Sequence, residues 1–325
     1  MKESKTKNKR VLFIDALNSY YRAYIVDPSL STNGDPIGGM KGFLKILQKL
    51  TREIRPDRIV ICWDGAGGSK RRKSINKNYK EGRSPIRLNR QVRNLTENQE
   101  VQNKVWQQTR LVEYLSYMPV TQLLFEHIEA DDLIAFTAKL EDYSGWQKVV
   151  VSSDKDFIQI LDEETVLFRP TQEQVLNVKR VVDEYGIHPN NFALARAIAG
   201  DKNDNLPGAK GVGLATIKKR FPFLEDEEEY LASDIFEHCR ENIDGVKAYT
   251  SILNEEALVR QNYKMMQLSS PSISVSTKMK IRAIIASDNL FFNKTEVIKM
   301  MSQDGFGETS WTDLFQRFNK ILIDK

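Results

Sequence analysis

The chain has 325 residues, 41% of them hydrophobic and 28% charged, with a formal net charge of +4. That length supports two or three modest domains with a buried core, and the balance excludes an intrinsically disordered chain. No apolar run approaches the ~20 residues of a membrane helix. Two cysteines (Cys62, Cys239) and three histidines, without CxxC, HxxxH or HExxH spacing, exclude a disulfide framework and argue against a zinc site.

In chain order, residues 1–10 (MKESKTKNKR) form a basic tail. VLFID (Val11 to Asp15) is strand-like and too short for a signal-peptide core, so a cytosolic, cytoplasmic location is expected. GGMKGFLKILQKLTREI (Gly38 to Ile54) has helical spacing at Phe43, Leu44, Leu47 and Leu50, and RPD breaks it. RIVICWD (Arg58 to Asp64) is a second apolar run ending in an acid. Between Gly65 and Arg93 lie ten Lys or Arg and one acid, Glu81, so this segment carries +9 and the rest of the chain −5. Such a block suggests a polyanion held at one place; a solvated charged helix or a basic arm would carry the same charge.

A long polar helix is expected from about Leu95 to Met118, then a helix in HIEADDLIAFTAKL, a third acid-terminated strand in QKVVVSSD (Gln147 to Asp154) and a fourth in TVLFRP. Apolar strands alternating with helices predict an α/β fold with a mostly parallel sheet buried on both faces. From Val181 the pattern turns helical, through PNNFALARAIAG and GLATIKKRF. EDEEE (Glu225 to Glu229) reads as a solvated loop or helix start. The division expected is a tail (1–10), an α/β domain (11–180), a helical region (181–260) and a C-terminal extension (261–325).

Three strands ending in Asp15, Asp64 and Asp154 would deliver these acids to the carboxyl edge of the sheet, where open α/β sheets bind ligands. Glu129, Asp131 and Asp132 can start a helix at the same edge. SSDKDF adds Asp156, and GDKNDNLPG adds Asp201 and Asp204. Each pair has a plain explanation as a helix cap or turn. Nine together would repel one another unless hard divalent cations, Mg²⁺ or Mn²⁺, sit among them. Two such ions ~3.5–4 Å apart can clamp the attacking water and the leaving oxygen of a phosphodiester. Neighbouring Lys and Arg would then draw in the phosphate backbone.

LPGAKGVGLATIKKR (Leu206 to Arg220) is neither a Walker loop nor a dinucleotide fingerprint. Gly211 and Gly213 instead suggest a tight turn whose N–H groups meet a DNA phosphate, reinforced by Lys210, Lys218 and Lys219. The pattern is that of a helix-hairpin-helix.

IDALNSYYRAY, IVICWDG, YKEGR, EADD, VVVSSDKDF and GDKNDNLPGAKGVG, in this order, resemble the signatures of the 5′ nucleases. That family comprises flap endonucleases, the 5′-nuclease domain of bacterial DNA polymerase I and small bacteriophage 5′→3′ exonucleases. The resemblance covers roughly residues 10–225. It implies a PIN-like α/β domain with a helical arch at about 65–94, a helix-three-turn-helix module and two divalent metals. Asp15, Asp64, Glu129, Asp131 and Asp132 look like its tighter metal cluster, and Asp154, Asp156, Asp201 and Asp204 like the second. Arg72, Lys80 and Arg83 match the basic foot of the arch, with Lys80 implied in transition-state stabilisation and Tyr79 in stacking on a base. Lys70, Arg71, Lys73 and Lys77 extend the DNA-contacting surface, and the Gly211–Gly213 turn resembles a site for K⁺ between backbone and phosphate. Arg71 departs from the apolar residue of many relatives, and the last ~100 residues match poorly.

The reading is a stand-alone, metal-dependent 5′→3′ exonuclease and flap endonuclease acting on nicked, flapped or RNA-primed DNA, in replication or repair. A single-strand-binding protein or sliding clamp is the further partner expected, and no membrane. The alternative is a non-catalytic, structure-specific DNA-binding protein on the same fold.

Overall fold

The computed structural model describes residues 9–83, 86–92, 94–287 and 289–323. Its centre is a six-stranded sheet of β1 (Arg10–Asp15), β2 (Arg58–Trp63), β3 (Thr121–Leu124), β4 (Gln147–Val151), β5 (Thr165–Arg169) and β6 (Gln174–Leu176), in the order β3-β2-β1-β4-β5-β6. All pairings are parallel except β5 with β6. The strand order reverses at β1, which lies between β2 and β4 with Ile14 opposite both Ile61 and Val151. This is the switch point at which such sheets open a crevice beyond their carboxyl ends.

The alternation of side chains along a strand explains the continuous apolar runs. Val11, Phe13, Val60, Cys62 and Val150 face one core; Leu12, Ile14, Ile59, Ile61, Val149 and Val151 face another. On the second side pack α1 (Ala16–Val26), α2 (Gly38–Ile54) and α4 (Glu97–Ser116), while the short α3 (Lys70–Ile75) meets the first core through Ile75. Helix α2 has the predicted bounds; its Met40, Phe43, Leu44, Leu47 and Leu50 are buried, and Arg55 at φ 54 ends it before Pro56. A capping box of Thr96 and Gln99 starts α4 two residues inside the expected boundary.

On the first side lie α5 (Ala130–Ala138), α6 (Val178–Tyr185), α7 (Pro189–Ala199) and α8 (Leu214–Arg220), followed by α9 (Ala232–Glu241), α10 (Lys247–Asn254), α11 (Glu256–Met266) and α12 (Val275–Ala286). The last two helices, α13 (Lys294–Gln303) and α14 (Thr312–Ile323), return to the second side. Val297, Met300, Trp311, Leu314 and Phe318 are buried in the core that holds α2 and α4. Asp304 receives Arg110 Nε at 2.9 Å and the Tyr114 hydroxyl at 2.8 Å from α4. The C-terminal residues are thus part of the main core.

One expectation needs correction. Asp154 does not end β4: it lies three residues beyond Val151 and caps a 3-10 turn at Lys155–Ile160 through a bond from Asp156 N–H (2.9 Å). Among the described residues of 65–94 the only helix is α3, and residues 86–92 lie down on the body. Leu88 is buried in the second core; the Asn89 amide donates to Ile25 O and Val26 O at the end of α1; Leu88 N–H donates to Glu100. Ten like charges and Gly82 oppose a continuous helix there, while carbonyls and acids of α1 and α4 offer partners.

Candidate active site

A cleft of about 290 Å³ opens at the carboxyl edge of the sheet, lined by Asp15, Asp64, Glu129, Asp131, Asp154 and Asp204, with Lys80, Arg83 and Tyr79. Each acid arrives by a local rule. Asp15 ends β1 and caps α1, accepting from Asn18 N–H (3.1 Å) and the Ser152 hydroxyl (3.1 Å). Asp64 follows β2 and accepts from Ala130 N–H at 2.7 Å, which ties that strand end to the start of α5. Glu129 is the N-cap residue of α5, and Asp131 and Asp132 lie in its first turn, where the helix dipole favours negative charge.

The loop bearing Asp201 and Asp204 is held by a two-residue ribbon, Gly200–Asp201 against Leu206–Pro207. Gly200 has φ +77, and a Cβ on it would meet Gly208 N at 2.3 Å; only glycine lets these backbones cross. Carboxylate oxygens of Asp156, Asp201 and Asp204 lie within 4.8 Å of one another. Asp132 is not brought to the cleft. It turns instead to a small separate pocket with Arg71, Arg72 and Lys264, because successive helical residues point about 100° apart.

Four basic side chains sit among these acids. Arg72 is buried, and each guanidinium nitrogen is bound: Nε to Met265 O (2.9 Å), the others to Glu129, Asp131 and Asp132. It is therefore an internal counter-ion and offers no free face to a substrate. Lys80 reaches Glu129, which also accepts from the Ser69 hydroxyl at 2.8 Å. Lys80 N–H donates to Asp204 O (2.9 Å), Arg83 Nε donates to Asn203 O (3.0 Å), and the Arg83 guanidinium pairs with Asp204. Arg196, the fourth, joins Asp156 to Asp201. Arg196 was not among the residues expected from sequence; a lone arginine in the last turn of a helix reads as a dipole partner and nothing more.

Tyr79 is 3% exposed and Lys80 Nζ lies 5.0 Å from its ring centroid. Packed in this way it lines the cleft wall with little of its ring exposed. Lys70, Arg71, Lys73 and Lys77 are exposed, as are Lys210, Gly211, Gly213, Lys218 and Lys219. Gly211 has φ +76 and Gly213 precedes α8, with open space where either Cβ would stand. No histidine lines the cleft.

The four cations do not neutralise the acids. Burial, with Asp64 and Asp154 nearby, pushes the Asp15 carboxyl up to about 8. Burial likewise raises Asp64, Asp132, Asp154 and Asp156. An all-oxygen set of carboxylates whose charge is disfavoured chiefly by burial fits hard divalent cations. A consequence follows for stability. Folded Asp15 keeps its proton up to about pH 8, whereas the unfolded chain releases it near pH 4. Over that interval the folded state binds more protons, so this contribution is complete below the unfolded pKa and is lost as pH rises through the folded one. In chelator, wild type should lose about 5 °C more in Tm than Asp15→Asn between pH 5 and 8. Parallel Tm profiles for the two would refute this.

Residues 10–186 match the family model described as the 5'-3' exonuclease, N-terminal resolvase-like domain. The 5'-3' exonuclease of Aquifex aeolicus is 30% identical over 224 residues, 67% of this chain and 72% of that one.

The chain belongs to the 5′-3′ exonuclease family.

The DNA polymerase I of Bacillus subtilis is 26% identical over 312 residues, 93% of this chain but 32% of the polymerase. The similarity therefore runs past residue 225, where the sequence motifs stop. Among solved structures, the bacteriophage T5 D15 protein covers 91% of this chain and 98% of its own, with a TM-score of 0.61 and 16% identity. That likeness shows the PIN-like fold, with its mostly parallel sheet between helical layers.

Proposed function

We propose that this 5′-3′ exonuclease family member is a divalent-metal-dependent 5′→3′ exonuclease and structure-specific flap endonuclease. Its substrates are nicked, 5′-flapped and RNA-primed DNA. The observation that carries the reading is the convergence of six carboxylates from separate elements on one cleft, with Lys80 and Arg83 at its wall. The T5 D15 protein, similar in fold, has been crystallised with metal ions and, as a flap endonuclease variant, with DNA and metal ions.

In this reading Asp15, Asp64, Glu129, Asp131 and Asp154 hold one Mg²⁺ or Mn²⁺, and Asp156, Asp201 and Asp204 a second. Bound there, the ions supply an activated water and offset the charge of the leaving oxygen. The chain does the rest. Lys80 and Arg83, paired with Glu129 and Asp204 at the cleft wall, would bind the scissile phosphate and offset its charge. The exposed lysines and arginine of α3, with Lys77, track the backbone of the strand. The Gly211–Gly213 turn, with Lys210, Lys218, Lys219 and a K⁺ ion, holds the duplex by phosphate contacts. With no histidine lining the cleft, the reading assigns no side chain as general base. Replication and repair of DNA, with a single-strand-binding protein or sliding clamp as partner, are the setting this activity fits.

The test is a 5′-labelled flap duplex in Mg²⁺ and in chelator. Wild type should cut near the junction only with metal, and Lys80→Ala should lower kcat by about 10²–10³. Tight binding without cleavage in either Mg²⁺ or Mn²⁺ would leave a DNA-binding scaffold instead.

A further inference from the structure

We infer that Arg196 is a positioning residue of the second cation site: a built-in positive charge that orients Asp156 and Asp201 and keeps the divalent ion there weakly held. The inference rests on the metal-dependent reading above. Arg196 lies in the last turn of α7 with its side chain 12% exposed. Nε and Nη2 donate to Asp156 Oδ1 at 3.2 and 3.1 Å, and Nη2 also donates to Asp201 Oδ2. Asp201 Oδ1 in turn accepts from Asn203 N–H at 2.8 Å. Both oxygens of Asp201 and one of Asp156 are thus fixed before any ligand arrives.

The cleft acids at the ends of β1 and β2 are held differently. Asp15 accepts from a backbone N–H and a hydroxyl, and Asp64 from a backbone N–H. Neither has an ion-pair partner among the described residues. The set Asp156, Asp201 and Asp204 instead faces two guanidinium groups, Arg196 and Arg83. Arg83 is half exposed and free to leave; Arg196 is enclosed and held by two carboxylates from different segments. A helix-dipole role would direct the guanidinium to the carbonyls of α7, yet its bonds go to Asp156 and Asp201. A fixed monocation beside three carboxylates leaves too little negative charge to hold a divalent ion tightly, and a substrate phosphate supplies the remainder. Metal and substrate then reinforce each other at this half of the cleft.

Mn²⁺ binding to the full chain, by calorimetric titration and by electron paramagnetic resonance, distinguishes this from a purely structural role. Wild type should bind one tighter and one weaker Mn²⁺. Arg196→Met should tighten the weaker ion about tenfold and leave the tighter one unchanged, as expected for removing one unit charge beside a divalent ion. Arg196→Lys keeps the charge and loses the fork, so its Mn²⁺ affinities should stay within about threefold of wild type. Both variants should cut the flap duplex with kcat reduced at least tenfold. A weaker ion that is unchanged or loosened in Arg196→Met overturns the inference while leaving the nuclease reading intact. Wild type that binds no Mn²⁺ overturns both. Should Arg196→Met not fold, a tenfold change in Mn²⁺ affinity in Arg196→Lys is the overturning result.

Discussion

Asp64→Asn should lower kcat on a flap duplex by about 10³ or more and, in chelator, raise Tm by about 2 °C. The opposite signs come from one cause. Asp64 faces the cleft beside Asp131 and makes no salt bridge among the described residues, so burying its charge there, with Asp131 close by, is a cost that folding must overcome. Asparagine keeps an oxygen for the Ala130 N–H bond at 2.7 Å, so the link between β2 and α5 survives. What it loses is a charged ligand for a divalent ion, and with it the electrostatic stabilisation of the reaction. The comparison needs both readouts on the same preparation. A variant that is inactive and also less stable in chelator would mean that Asp64 is a structural acid, and the cleft reading would fail at that position.

The second large effect concerns Arg72. Arg72→Met should destabilise the chain by about 3–5 kcal/mol, because it strips a buried carboxylate of its main counter-ion. Glu129 is 3% exposed and would keep only Lys80 and the Ser69 hydroxyl; Met265 O would lose its donor. Adding Glu129→Gln should recover a good part of that loss, since the penalty lies in the stranded charge and not in the missing contact. Chemical denaturation of the two single variants and the double variant closes the cycle. Additive losses, or Arg72→Met within 1 kcal/mol of wild type, would show that Arg72 is not the counter-ion of this cluster. Arg72→Lys should be no substitute, because an ammonium cannot span Met265 O and three carboxylates as the planar fork does.

Arg72 also marks the boundary between what could be read in advance and what could not. In the sequence it is one of ten basic residues in a block that suggests DNA, and its neighbours Lys70, Arg71 and Lys73 are indeed exposed. Its burial depends on α11, some 190 residues away in the chain, which carries the Met265 carbonyl to it. Nothing in the spacing of KRRK distinguishes the inward arginine from the outward ones. Tyr79 is a similar case: YKEGR fits a stacking aromatic, and packing decided that the ring is enclosed.

The elements that obey a local period were legible from the residues alone. Helix α2 follows from its apolar spacing and the Arg55–Pro56 stop, and four of the six strands follow from apolar runs. The edge strands β3 and β6 were missed because they are four and three residues long, too short for a pattern. Helix α1, in ALNSYYRAYIV, has tyrosines where an aliphatic stripe would announce it.

By itself the sequence set an expectation of the chemistry: nine candidate acids, three histidines and one dense basic block point to hard cations and a polyanion as partners. Only the tertiary structure decided which acids meet. It brought Asp15, Asp64, Glu129, Asp131, Asp154 and Asp204 to one cleft, turned Asp132 away, set Arg196 between Asp156 and Asp201, and laid residues 86–92 on α1 and α4. Charge type and periodicity are properties of residues and their near neighbours. Convergence depends on strand order and on contacts across more than a hundred residues, which no local pattern encodes.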